Sequence, residues 1–242
     1  YKEFRMNRTL TIITSCFLLT FLTAVSAMAD AVSYAPEGLA TSSLEAEMNK
    51  KVLIKDVNIF DGVSEKLALS MSVLIEGNKI AKIAKTIPTS DDIEVIEGGG
   101  RTLTPGFIGI HEHLQLNVGA LKTMYSTPDY LGALALYEAN NTLMRGFTSM
   151  RDVGGTVFGV KQAIDEGYFP GPRLYASGPA ISMTAGHGDY RTSITYPRQL
   201  GGSSHSELEI LGITTFADGV PEILSAARMH MRSGAAFLKL YV

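Results

Sequence analysis

From residue 101 onward, strand-like apolar runs alternate with helical ones, and this alternation restricts the fold more than any other feature of the sequence. Residues 103–110 read as a buried strand, and 129–145 as a helix with apolar positions at Leu131, Leu134, Ala135, Leu136 and Leu143. A second strand is expected over 147–153, a short helix over 157–166 closed by Gly167, and a third strand over 173–177. A segment rich in Gly, Ser and Thr follows over 178–219. Pro221 then opens a helix that runs to Ser233 and is ended by Gly234, and 235–242 reads as a fourth, apolar strand. Such alternation predicts a parallel sheet covered by helices. Four β/α steps are half of an eight-step (β/α)8 TIM-type barrel, for which about 250 residues are typical. The sequence stops inside an apolar strand, which would leave an unprotected edge, so it reads as the first half of such a barrel (101–242).

Residues 51–100 follow another pattern. Val52-Leu53-Ile54, Val57-Asn58-Ile59-Phe60 and Ser72-Val73-Leu74-Ile75 are short strand runs, and Gly77-Asn78 is a hairpin dipeptide leading into Lys79-Ile80-Ala81-Lys82-Ile83. They predict a small antiparallel sheet or β-sandwich, with Gly98-Gly99-Gly100 marking its boundary. Residues 30–50 are small and polar, a tether. Residues 1–29 read as a signal peptide. Asn7 and Arg8 after Met6 form a short basic head, residues 10–24 an apolar core below the span of about 20 that crosses a membrane, and Ala27-Met28-Ala29 a small-x-small cleavage site. Cleavage after Ala29 would leave no stable membrane anchor and would remove Cys16, the one cysteine, which suits a secreted or periplasmic protein. The net charge is −3 and no Lys/Arg-rich run occurs, so nucleic acid is not an expected partner.

The chemistry-bearing residues cluster at expected strand ends. His111 and His113 in His111-Glu112-His113 close the first barrel strand. Side chains two apart on a strand share a face. Both imidazoles would therefore look into the C-terminal mouth, where barrel active sites sit, and suit Zn²⁺ or another divalent metal. The competing reading is a polar surface turn. Glu112 should point away. Lys239 stands between Leu238 and Leu240 in an apolar run. It is either a lysine extending its ammonium to water from the strand end, or one carboxylated by CO₂ to a carbamate that bridges two metals. His187, flanked by Gly186 and Gly188, is either a solvated loop histidine or a substrate-binding one. Tyr241 shares the face of Lys239 and could reach substrate. Arg151-Asp152 is expected to be a structural salt bridge under the barrel mouth, and His205 and His230 to be incidental, the latter on an exposed helix face.

The segment from Thr104-Pro105-Gly106 through His111-Glu112-His113 resembles the first-strand motif of the amidohydrolase superfamily, and residues 145–154 resemble its second-strand segment. Gly171-Pro172-Arg173, Thr184-Ala185-Gly186-His187-Gly188 and Phe237-Leu238-Lys239-Leu240 are similar to the imidazolonepropionase-like, prolidase-type members. The resemblance implies a metal-dependent hydrolase of amide or peptide C–N bonds with one or two divalent metals. It implies His111 and His113 on the first metal and a carboxylated Lys239 bridging to a second. The catalytic Asp would lie on a later strand, beyond residue 242. A small-molecule or dipeptide-like substrate is implied, as in an Xaa-Pro-type dipeptidase, and the protein could form a homo-oligomer. The alternatives are a single-metal cyclic-amide hydrolase and a non-catalytic periplasmic binding protein. One residue departs from the superfamily pattern: Gly109 stands where an Asp is usual, two positions before the first His.

Overall fold

The computed structural model describes residues 50–202 and 205–241, so the expected signal peptide, Cys16 and nearly all of the tether fall outside the described residues. Two compact units divide between Leu103 and Thr104.

In the first unit, strands β1 (Lys51–Ile59), β2 (Ala68–Glu76) and β3 (Lys79–Ala84) pair antiparallel. Gly77, at φ 56°, turns the β2–β3 hairpin as its sequence predicts. β4 (Ile93–Glu97) and β5 (Thr102–Leu103) both pair parallel to β1. The expectation of an antiparallel sheet is thus corrected: one mixed sheet forms, in the order β3-β2-β1-β4 with β5 also on β1. No second sheet layer of a sandwich is present among the described residues of this unit. The core comprises Leu53, Val57, Val73 and Ile87. The register of β1 slips between Ile54 and Val57, where Asp56 takes φ 48°, and the glycine run lies against that irregularity. Gly98 N–H donates to Lys55 O at 2.7 Å and Gly100 N–H to Asp56 O at 2.8 Å. The run therefore binds the chain to β1, and the boundary comes three residues later because β5 still pairs there.

In the second unit, β6 (Phe107–Glu112), β7 (Phe147–Asp152) and β8 (Arg173–Ala176) form a parallel sheet in that order. The short α1 (Ala120–Met124) and the long α2 (Pro128–Met144) connect β6 to β7, and α3 (Phe158–Asp165) connects β7 to β8. α2 begins with Pro128 in its first turn, where a missing N–H costs nothing, and Gly146 follows it at φ 92°. Leu131, Ala135, Ala139 and Thr142 form its buried stripe. Ala135 and Ala139 pack with Val157 and Val160 against Met150, Leu174 and Ala176, so the helices cover one face of the sheet. No described helix covers the other face. β6 was expected to be buried, but only Gly109 is; Ile108 and Ile110 are 66% and 70% exposed because no helix covers their side.

The Gly/Ser/Thr-rich segment contains more structure than its composition suggests. β9 (Ala180–Ser182) pairs parallel with β10 (Thr214–Phe216), and α4 (Glu207–Ile210) starts with a capping box built by Ser206 and Glu209. α5 (Val220–Arg232) follows. The expected fourth strand is not regular among the described residues. It reduces to a parallel bridge, Ile181 to Leu240, with Ala236 N–H on Ala176 O at 2.8 Å and Tyr241 N–H on Ile181 O at 2.8 Å. Ser177-Gly178-Pro179 explains this. Gly178 at φ 74° and the N–H-less Pro179 interrupt the edge on which a continuous ladder would form. No described helix is long and apolar enough to cross a membrane.

His230 is buried, which corrects its expected place on an exposed face. It lies one turn after Ala226 on the inward stripe of α5. Its Nε2 is 3.2 Å from Thr215 Oγ1 and its Nδ1 is buried without a hydrogen-bond partner. Burial holds its pKa below the ordinary imidazole value. The unfolded chain therefore takes up the proton first, and stability falls as pH drops below about 6.5. His230→Leu should remove this dependence. Urea unfolding should show the variant gaining on the wild type as pH falls from about 7.5 to about 5.5. In the first unit, a Cβ at Gly98 would lie 2.3 Å from Val57 Cγ1 and 2.6 Å from Lys55 O, a clash with backbone that cannot swing away. Gly98→Ala should lower unfolding free energy by about 1–3 kcal/mol or more in a denaturant titration.

Candidate functional site

The end of β6 is shaped by a bulge. Gly109 pairs with Met150 and Glu112 with Asp152, so three steps on β6 span two on β7. Bulges re-aim side chains, and here Gly109 and Glu112 come to one side. A Cβ on Gly109 would sit 3.1 Å from Glu112 Cγ and 3.2 Å from its Oε1. Glu112 thus fills the space beside position 109, which accounts sterically for the glycine there. The rings of His111 and His113 meet edge-on, with centroids 5.4 Å apart and planes at 62°. His113 is half-buried, and its Nδ1 is shielded from water with no hydrogen-bond partner. Burial lowers its pKa, with His111 and Lys239 adding to that and the Gly154 backbone and Glu112 opposing. Burial thus favours the neutral imidazole, the form that ligates metals.

The Nζ of Lys239 stands 5.1 Å from the centre of the Tyr241 ring. Tyr241 in turn meets the His187 ring edge-on at 4.8 Å. Burial, with a smaller push from Tyr190, raises the Tyr241 phenol above its ordinary range, so it stays a hydrogen-bond donor. The five residues singled out in the sequence therefore fall into two contact groups, His111 with His113, and Lys239 and His187 with Tyr241.

The loop that presents His187 is held by groups the sequence reading passed over. Asp189 accepts the Ala185 N–H at 2.8 Å and Arg191 Nε–H at 2.7 Å, and it forms a nearly buried ion pair with the Arg191 guanidinium. Arg191 holds its carboxyl down at about 2. Arg191 also lies over the Phe216 ring at 4.8 Å. Asp218 accepts Thr184 N–H at 2.9 Å and Thr184 O–H at 2.6 Å, which anchors the start of the loop. At Gly188 a Cβ would be 3.0 Å from both Ser182 Cβ and Tyr241 Cδ2, so glycine is what lets the loop reach the tyrosine. The acid two residues after His187 and the arginine two further on were the available signal.

The expected Arg151–Asp152 salt bridge does not form. Neighbours on a strand face opposite ways. The Arg151 guanidinium lies 4.1 Å over the Phe237 ring, whereas Asp152 is fully buried and accepts the Leu114 N–H at 2.8 Å and the Gly154 N–H at 3.3 Å. Burial pushes its carboxyl up to about 7, with Glu112 adding to the rise and the two amides opposing it. His205 is exposed.

Among the described residues, no three His, Cys, Asp or Glu side chains are grouped to hold a metal ion. The groups that could contribute nitrogen are His111 and His113; an unmodified Lys239 ammonium has no lone pair to offer.

Ochratoxinase of Aspergillus niger is 33% identical over 154 residues, which cover 57% of this chain and 30% of that protein. Its crystal structure superposes with a TM-score of 0.63 at 27% identity, over 79% of this chain and 46% of that one. A prolidase complexed with N-methylphosphonate-L-proline gives a TM-score of 0.69 at 27% identity, and an Xaa-Pro dipeptidase with bound methionine gives 0.61 at 27%, each over 78% of this chain and 46% of the other. The chain thus spans less than half the length of these structures. The amidohydrolase family profile matches residues 102–240, which contain every residue of the candidate site except Tyr241, and the chain belongs to the amidohydrolase family.

Proposed function

We propose that this chain carries the first part of the active site of a metal-dependent hydrolase of amide or peptide C–N bonds, acting on small or dipeptide-like substrates of the Xaa-Pro type. What supports the reading is the pair of imidazoles, His111 and His113, at the end of β6, together with the contacts of Lys239 and His187 with Tyr241. Similarity to a prolidase and to an Xaa-Pro dipeptidase supports the substrate class. In this reading the open face of the β6-β7-β8 sheet, with Ile108 and Ile110, is covered by further strands of a (β/α)8 barrel. Residues 6–29 direct export to the periplasm or the exterior.

His111 and His113 would hold a divalent metal, Zn²⁺ being the best match to imidazole donors. When bound, such an ion supplies Lewis acidity that activates water and polarises a carbonyl. Lys239 joins the site after its neutral amine attacks CO₂. The ammonium first gives up one proton to become that amine, a second proton leaves as the C–N bond forms, and the product is a carbamate whose oxygens can ligate. Tyr241, kept protonated, donates its O–H to a carboxylate or carbonyl oxygen of the substrate. His187, meeting it edge-on from a braced loop, fixes the direction of that donation. Proton delivery to the leaving amine falls to an Asp on a later strand.

Two outcomes test the reading in the full-length protein. Lys239→Ala should lower the metal content from about two ions per chain to about one and reduce turnover at least about 100-fold, since ligand loss exceeds the usual 10–100-fold cost of an outer-shell change. Metal analysis by mass spectrometry reads the first and amide hydrolysis the second; unchanged stoichiometry would favour the single-metal cyclic-amide reading. Tyr241→Phe should raise KM about tenfold with a smaller change in kcat, the worth of one hydrogen bond to a charged group. Steady-state kinetics with Xaa-Pro dipeptides measure it.

A further inference from the structure

Asp152 ends β7 and is wholly buried, on the helix-covered side of the sheet with Met150. Its Oδ2 accepts the N–H of Leu114, the residue directly after His113, at 2.8 Å. That bond fixes the peptide leaving the His111-Glu112-His113 end. Its Oδ1 accepts the N–H of Gly154 at 3.3 Å. Gly154 is the wall against which the His113 ring rests, since a Cβ there would lie 3.0 Å from Cε1 and 3.1 Å from Nδ1. Main-chain bonds complete the brace: Val153 N–H donates to Glu112 O at 2.9 Å, and Ser177 N–H to Asp152 O at 2.9 Å. One carboxylate thus holds both the backbone that carries His113 and the surface its ring lies on.

A buried carboxylate is a costly way to join two strands already connected by a ladder, because its desolvation is repaid only in part by two amide bonds. What it supplies beyond stability is direction. We propose that Asp152 is a positioning residue for His113, setting the orientation of its imidazole and through it the affinity of the two-histidine end for a divalent cation. Asp152 does not touch the cation or the substrate. The proposal rests on the reading of His111 and His113 as metal-holding residues.

The experiment compares full-length wild type with Asp152→Asn and Gly154→Ala. The first keeps the side-chain shape and spoils one of the two acceptors. The second leaves Asp152 intact and pushes on the ring; Gly154 lies outside the left-handed region, so alanine tests the contact and not the backbone. The readouts are the Zn²⁺ dissociation constant by chelator competition, the visible spectrum of the Co²⁺-loaded protein, the ¹⁵N NMR shifts of the His113 ring without metal, and the melting temperature. Both variants should melt cooperatively, bind Zn²⁺ about 10–100-fold more weakly, shift the Co²⁺ bands and displace the His113 ring signals. A lower melting temperature with unchanged affinity, spectrum and ring shifts in both variants overturns the proposal and leaves Asp152 a structural group. If Asp152→Asn does not fold, Gly154→Ala decides by the same measures. If the wild type binds no divalent cation, the metal reading fails by itself. The His113 ring shifts then decide the positioning role, which unchanged signals in the variants would overturn.

Discussion

The one-sided burial of the parallel sheet is the constraint on which the second unit depends. Met150, Leu174 and Ala176 are covered by α2 and α3, and strand alternation then sends their neighbours Arg151 and Tyr175 to the other side. Parallel strands also deliver all of their C-terminal ends to one edge. The histidines at the end of β6, the Arg-Asp pair closing β7 and the Ser-Gly-Pro break after β8 are therefore gathered there without any specific attraction among them.

Within that frame, close approach is governed by missing side chains. Gly109 leaves room for Glu112, Gly154 for the His113 ring, and Gly188 for Tyr241. Each would bring a Cβ to within about 3.0–3.2 Å of its neighbour, tighter than ordinary van der Waals contact. The site is compact because several of its walls are bare backbone. Its rigidity comes from two carboxyl groups: buried Asp152 under the histidines, and half-buried Asp189 with Arg191 inside the His187 loop. Such groups are unfavourable to bury, and hydrogen bonds from backbone amides of the segments they brace offset part of that cost.

Much of this was legible in the sequence. The helices over 128–144 and 220–232 and the first three parallel strands lie within a few residues of their expected places, because periodicity, Pro and Gly act locally. The residues proposed for the site stand out in the sequence as well, since imidazoles two apart at a strand end, and a lysine within an apolar run, are unusual in themselves. β4, β5, β9 and β10 were not. They are short, polar or glycine-flanked, and they are strands only because a partner edge lies beside them.

The sequence by itself determined the alternation of elements, the strand ends that carry chemistry and the family to which they point, because each of these is written in spacing along the chain. Only the tertiary structure decided which way the polar residues face. Asp152 and Arg151, adjacent in sequence, part to opposite sides of a sheet. His230 turns inward with Ala226 on α5, and the bulge in β6 brings Glu112 over Gly109. Those outcomes depend on which face is covered, and burial is a property of contacts between distant segments, not of any local run of residues.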